Sequence, residues 1–224
     1  MIPFAGGSCY SYRPLEQLIE GTMDTEVFEL PGRGKRILEP FVETLSDALD
    51  DIYSQIDLRM EGDFAFFGHS MGAILAYLIT SRLKEEGREL PKHLFLAGHR
   101  APNCKQYSKL KHKLPKNEFI SELQKLEGVP KQLLEDPEAM DFFEPVIRAD
   151  FRVIEGYYQE KIVQVPVPIT LLMGDEDAIT NEEKIKWRDF TSEKFIQTEY
   201  NGGHFFIYQH KIQIMKTIKD SLER

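Results

Sequence analysis

The chain has almost no cysteine. Two residues in 224, Cys9 and Cys104, give no disulfide framework and point to a reducing compartment, so a cytoplasmic location is expected. No apolar run approaches the roughly 20 residues that span a bilayer. The first residues carry neither a basic segment nor a long apolar one, so neither a signal peptide nor a membrane partner is expected. No His/Cys cluster has zinc spacing, and no G-x-G-x-x-G dinucleotide fingerprint occurs. Gly32-Arg33-Gly34-Lys35 lacks the spacing of a phosphate-binding loop. No metal, nucleotide or flavin cofactor is therefore expected. Positive charge is also short: 28 Lys and Arg against 37 Asp and Glu leave a net charge of −9, which argues against nucleic acid as a partner. Nothing suggests an obligate assembly, so a monomer is expected.

The chain is 42% hydrophobic and long enough for one sizeable core, but short for two. No internal repeat or low-complexity tract appears. Strand and helix patterns alternate. Residues 26–30 read as a strand closed by Pro31-Gly32-Arg33-Gly34. Apolar residues at 41, 42, 45, 48, 49, 52, 53 and 56 predict a helix over residues 41–56. Strands are expected at 63–67, 93–97, 167–173 and 194–200, a helix from Ser70 to near Gly87, and a closing helix over 205–222. Such alternation implies a mostly parallel sheet covered by helices on both faces.

Residues 100–163 break the pattern. Pro115, Pro130 and Asp136-Pro137 cut this stretch into short helical pieces. It is too long for a connection and too apolar for a linker. Residues 1–224 are accordingly read as one domain with a helical lid inserted at about 100–163. Phe119, Phe142, Phe143, Phe151, Tyr157 and Tyr158 could line a pocket beneath the lid or simply bury it. At the other end, Pro3-Phe4-Ala5-Gly6-Gly7-Ser8 reads as a loop leaving a strand, yet two residues precede it where about five are usual. Either a very short strand or further residues upstream are expected.

The most informative pentapeptide is Gly68-His69-Ser70-Met71-Gly72. It lies between an apolar strand pattern and a helix pattern. Strand, G-x-S-x-G, helix is the nucleophile elbow of α/β-hydrolases. The turn is so tight that only hydrogen side chains fit two residues either side of the serine. A serine hydroxyl needs a base, and the base needs an orienting carboxylate. In this fold they follow in the order Ser, Asp/Glu, His. Asp177, in Gly174-Asp175-Glu176-Asp177 after a strand, is the expected acid, with Asp175 as the alternative. His204, in Asn201-Gly202-Gly203-His204, lies 27 residues further on and is the expected base, with His99 as its rival. His69 is expected to project away from the line of attack. Backbone N–H groups of Met71 and Ala5 are the expected oxyanion donors, with Gly6 and Gly7 permitting close approach.

At this point the chain resembles the type II thioesterases that accompany nonribosomal peptide and polyketide synthetases. The likeness rests on Pro3–Gly7, Leu30-Pro31-Gly32-Arg33-Gly34, Phe67–Gly72, Leu114-Pro115, Arg148-Ala149-Asp150-Phe151 and Gly202-Gly203-His204. It implies an α/β-hydrolase fold, a Ser70/Asp177/His204 triad and oxyanion donors at Met71 and Ala5. It also implies a substrate: aberrant or stalled acyl groups on the phosphopantetheine arm of acyl or peptidyl carrier proteins. Carrier proteins are usually acidic. Arg100, Lys105, Lys109, Lys111, Lys113 and Lys116 fall in one stretch with no acidic residue, so Lys109, Lys111 and Lys113 are expected to dock the carrier. The alternatives are release of medium-chain fatty acids, general ester hydrolysis, and carrier binding without turnover.

Overall fold

The computed structural model describes residues 1–59, 62–105, 110–126, 128–129 and 131–223, without the side chains of residues 57–59, 131 and 133. Four parallel strands, β1 (Phe66–His69), β2 (Leu94–Ala97), β3 (Ile169–Gly174) and β4 (Phe195–Tyr200), lie side by side in that order. Phe66 faces Leu94, Leu94 faces Ile169, and Ile169 faces Phe195. Every residue of β1, β2 and β3 is buried. Their unbroken apolar runs follow from having helices on both faces.

Alternation along the strands divides the core in two. Phe66, Leu94, Leu96, Ile169 and Leu171 point to the face covered by helices Leu45–Arg59 and Met71–Glu85. Phe67, Phe95, Ala97 and Leu172 point to the other face, against Leu15, Phe206, Ile214 and Met215. At the carboxyl end of these strands, β1 and β3 run into the loops carrying Ser70 and Asp177.

The expected elements appear with three corrections. Residues 26–30 are extended but form no strand. Their partner is the segment Met1–Ile2, and Phe28 N–H donates to the Met1 carbonyl at 3.0 Å, too short a stretch for a ladder. Ile2 in turn makes one parallel bridge to Gly68. The first long helix starts at Leu45, not 41, because Thr44 and Asp47 cap it reciprocally: Asp47 N–H donates to Thr44 Oγ1 at 3.1 Å, and Thr44 N–H to Asp47 Oδ2 at 3.2 Å. The closing helix is broken into Phe206–Gln209 and Lys211–Leu222. His210 between them leaves helical dihedrals, and its ring bonds the Asn201 carbonyl at 2.8 Å.

Between β2 and β3 lie helices Lys116–Leu126, Lys131–Leu134 and Pro137–Ile154. The last is started by Asp136, whose carboxylate accepts from Glu138 N–H at 3.0 Å and Ala139 N–H at 3.1 Å, with Pro137 at the first helical position. Phe119, Leu123, Leu134, Met140 and Ile147 form a small core of their own. Val153 and Ile154, at the far end of the last helix, belong to the main core and anchor the insert to the body.

Candidate active site

Ser70 sits where β1 breaks into the helix Met71–Glu85. Its φ is 55° and ψ −119°. Among the described residues it is the one non-glycine with positive φ, a conformation held by its surroundings at a cost. The glycines explain how the turn closes. A Cβ on Gly68 would lie 2.1 Å from the Gly72 carbonyl oxygen, and one on Gly72 would lie 2.0 Å from the Ile2 carbonyl oxygen. Ser70 N–H donates to the Ala97 carbonyl at 2.8 Å, tying the turn to β2.

The loops after β3 and β4 bring two further side chains to Ser70. His204 Nε2 is 3.0 Å from Ser70 Oγ. His204 Nδ1 is 2.8 Å from Asp177 Oδ2. A carboxylate accepts, so Nδ1 carries the proton and Nε2 presents its lone pair to the hydroxyl. Burial pushes the Asp177 carboxyl up, but the hydrogen bond and charge of His204 outweigh it, and the group ends below its ordinary value. Asp175 does something different. Its Oδ1 accepts from Gly202 N–H at 2.9 Å and shapes the loop that carries His204. His99 Nδ1 bonds the Arg100 carbonyl oxygen at 2.7 Å, and burial lowers its pKa to about 4.

His69 was expected to point away from the nucleophile. It does, but it packs beneath His204 with ring centroids 5.0 Å apart. Its Nε2 donates to the His204 carbonyl at 2.9 Å, while Nδ1 is buried without a partner. Desolvation, aided by the charge of His204, lowers its pKa to about 3, so the ring is neutral. The sequence signal for this residue was its place inside the elbow of a fully buried strand.

Ala5 and Met71 both line the cavity at Ser70. The Ala5 loop turns back on itself through Gly7 N–H to the Phe4 carbonyl at 2.8 Å. Arg33 and Asp150 have no task legible in the sequence. The structure brings them together as a buried ion pair beside this loop.

Two cavities meet at Ser70. One of about 660 Å³ is lined by Ala5, His99, Arg100, Lys111, Glu155 and Asp177, among others. A smaller one of about 190 Å³ is apolar, walled by Phe4, Leu123, Val129, Phe143, Ile147 and Phe151. Of the six insert aromatics named from the sequence, Phe143 and Phe151 thus reach a cavity wall. Phe119 is in the insert's own core, Tyr157 packs on the main core, and Phe142 and Tyr158 are exposed.

The basic stretch is less naked than its sequence. Arg100 pairs with Glu183 at 2.7 Å, Lys111 approaches Glu122 at 3.9 Å, and Lys116 pairs with Asp141. Lys105 and Lys113 are exposed, and Lys109 lies outside the described residues. Among the described residues, no cluster of three or more His, Cys, Asp or Glu could hold a metal, and no helix is long and apolar enough to cross a membrane.

The family model for the thioesterase domain matches residues 1–222. The chain belongs to the thioesterase family. This thioesterase is 31% identical to the gramicidin S biosynthesis protein GrsT of Aneurinibacillus migulanus, over 96% of this chain and 84% of that protein. Its structure superposes on ClbQ from the colibactin NRPS/PKS pathway with a TM-score of 0.92 and 32% identity, covering 99% of this chain and 95% of that one. It superposes on the type II thioesterase BorB from the borrelidin biosynthetic cluster with a TM-score of 0.89 and 30% identity, covering 99% and 90%. The fold of this thioesterase is the α/β-hydrolase fold.

Proposed function

We propose that this thioesterase clears short, wrongly loaded or stalled acyl groups from the phosphopantetheine arm of carrier proteins, with Ser70, His204 and Asp177 as its catalytic triad. The observation that carries this reading is the hydrogen-bonded chain Asp177–His204–Ser70, set where a wide cavity with charged residues on its wall meets a small one walled mainly by apolar side chains. Names of similar proteins from gramicidin S, colibactin and borrelidin biosynthesis support the setting.

The pantetheine arm enters through the larger cavity and the acyl group lies in the smaller. Ser70 Oγ attacks the thioester carbonyl carbon while His204 Nε2 takes its proton. Asp177 holds the imidazole and stabilises its charged form. The oxyanion forms against the N–H groups of Met71 and Ala5, each such donor being worth about 3–4 kcal/mol in comparable sites. Collapse breaks the C–S bond, and His204 returns its proton to the departing thiolate. A water, giving its proton to His204, then attacks the acyl-serine. The acid leaves and the proton returns to Ser70.

The apolar cavity holds about 190 Å³, under a third of the larger one's 660 Å³. That favours short acyl chains over the medium chains of a fatty-acid-releasing enzyme. The insert over residues 100–163 acts as the lid of a single domain, and Lys109, Lys111 and Lys113 dock the carrier. The assignment of the acid is tested by comparing Asp177→Asn with Asp175→Asn. The first should cost about 10⁴ in kcat, because the imidazole is left in the wrong tautomer. The second should cost far less. Equal losses would withdraw the triad as drawn.

A further inference from the structure

Two residues, Arg33 in Leu30–Gly34 and Asp150 in Arg148–Phe151, have no part in the chemistry described so far. They meet at one place. Arg33 is 4% exposed and Asp150 0%, and they make a two-pronged ion pair. Arg33 Nη2 donates to Asp150 Oδ1 at 2.7 Å, and Nη1 donates to Oδ2. Asp150 Oδ2 also accepts from Gly6 N–H at 2.7 Å, and Arg33 Nη1 reaches the Gly7 carbonyl at 3.4 Å. A fully buried ion pair is not a favoured way to stabilise a core, because desolvation offsets the attraction. Its use must be sought in what it holds.

What it holds is the peptide next to Ala5. The peptide plane before Ala5 is fixed by Gly7 N–H on the Phe4 carbonyl. The plane after it is fixed by Gly6 N–H on Asp150. Gly6 has a φ of +81°, and a Cβ there would lie 2.7 Å from Ile147 Cγ1, on the same helix as Asp150. The turn that aims the Ala5 N–H is therefore set from outside the loop. Asp150 alone would place an unneutralised carboxylate one residue from a site where negative charge develops. Arg33 cancels it.

We propose that Arg33 and Asp150 are a positioning pair for the oxyanion loop, locking Ala5 to the helix Pro137–Ile154. The inference rests on the hydrolase reading of Ser70 and on Ala5 as an oxyanion donor. Neither residue touches substrate. Each acts through the backbone at Gly6 and Gly7.

The test uses the full chain and p-nitrophenyl acetate, an ester that needs the triad and the oxyanion hole but no carrier. The inhibitor is a trifluoromethyl ketone, which forms an oxyanion on a catalytic serine. Arg33→Met with Asp150→Leu removes both charges and leaves none unpaired, so the fold is expected to persist, as a near-normal Tm would show. In that double variant kcat should fall by at least about tenfold with KM within about threefold, and Ki for the ketone should rise by the same factor as kcat falls. Arg33→Lys keeps the charge but not the fork and should fall between wild type and the double variant. A double variant with wild-type kcat and Ki, or one whose kcat falls while Ki stays put, overturns the inference and leaves the hydrolase reading intact. So does wild-type behaviour of Arg33→Lys. A wild-type enzyme with no Ser70-dependent turnover of the ester overturns both.

Discussion

The ring of His69 holds the backbone of His204. Its Nε2 donates to the His204 carbonyl at 2.9 Å, one residue behind Ser70 and directly beneath the base. The bond has a single direction, since a carbonyl can only accept. It fixes the His69 tautomer and leaves Nδ1 buried without a partner, which costs stability. His69→Phe keeps a flat ring but removes the bond. The base should then sit less accurately on Ser70, and kcat should drop by about tenfold or more. Tm should change little, because the unpartnered Nδ1 goes with the bond. Steady-state kinetics beside a melting curve check this, and unchanged kcat would show that the bond does not position the base.

Buried histidines make the fold sensitive to acid. Burial lowers His69 to about 3, and His93 and His99 to about 4. In each case the folded value lies below the unfolded one of about 6.5, so the unfolded chain binds more protons between those values. Stability is then complete above about pH 6.5 and is lost as pH falls toward the folded values, at about 1.4 kcal/mol per pH unit for each ring. Urea midpoints should fall steeply from pH 7 to 5. His93 bonds Thr170 Oγ1 at 2.8 Å, so His93→Gln keeps a polar partner without a titrating ring. Its pH slope should be shallower, and identical slopes would rule His93 out as a source.

With the acyl group in the small cavity, as proposed, the cavity wall is expected to limit chain length. Phe143 and Phe151 form part of its wall. Phe143→Ala should raise kcat/KM for octanoyl relative to acetyl pantetheine by roughly tenfold or more, in keeping with 1–3 kcal/mol per methylene-sized change. An unchanged ratio would place the acyl chain elsewhere.

The proposed carrier docking involves basic residues of the same insert. Lys113 is exposed, whereas Lys111 lies near Glu122. Charge reversal at Lys109, Lys111 and Lys113 together should lower kcat/KM on acetyl-loaded carrier protein severalfold at low salt. It should change acetyl pantetheine less, through Lys111 on the wall of the larger cavity. Equal activity on the carrier would remove this face from docking.

The alternation of strands and helices, the elbow and the Ser–Asp–His order could all be read from the sequence, because each is local or follows chain order. The four strands appear within about three residues of expectation. The strand at 26–30 was misread because a ladder depends on its partner, and residues 1–2 are a short one. His69 and the Arg33–Asp150 pair were missed as working parts for a related reason. Their importance comes from contacts across 135 and 117 residues of chain, which no local pattern encodes. The surroundings of the basic stretch were equally hidden. Its acidic partners Glu183, Glu122 and Asp141 lie outside it in sequence.

The most direct measurement is acid release from acetyl-loaded carrier protein, beside a long-chain acyl carrier and a simple ester, for wild type and Ser70→Ala. The account predicts that acetyl leaves the carrier fastest and that Ser70→Ala loses about 10⁴-fold or more. Preference for the long chain or the free ester would contradict the editing role. Near-normal release by Ser70→Ala would contradict the nucleophile itself.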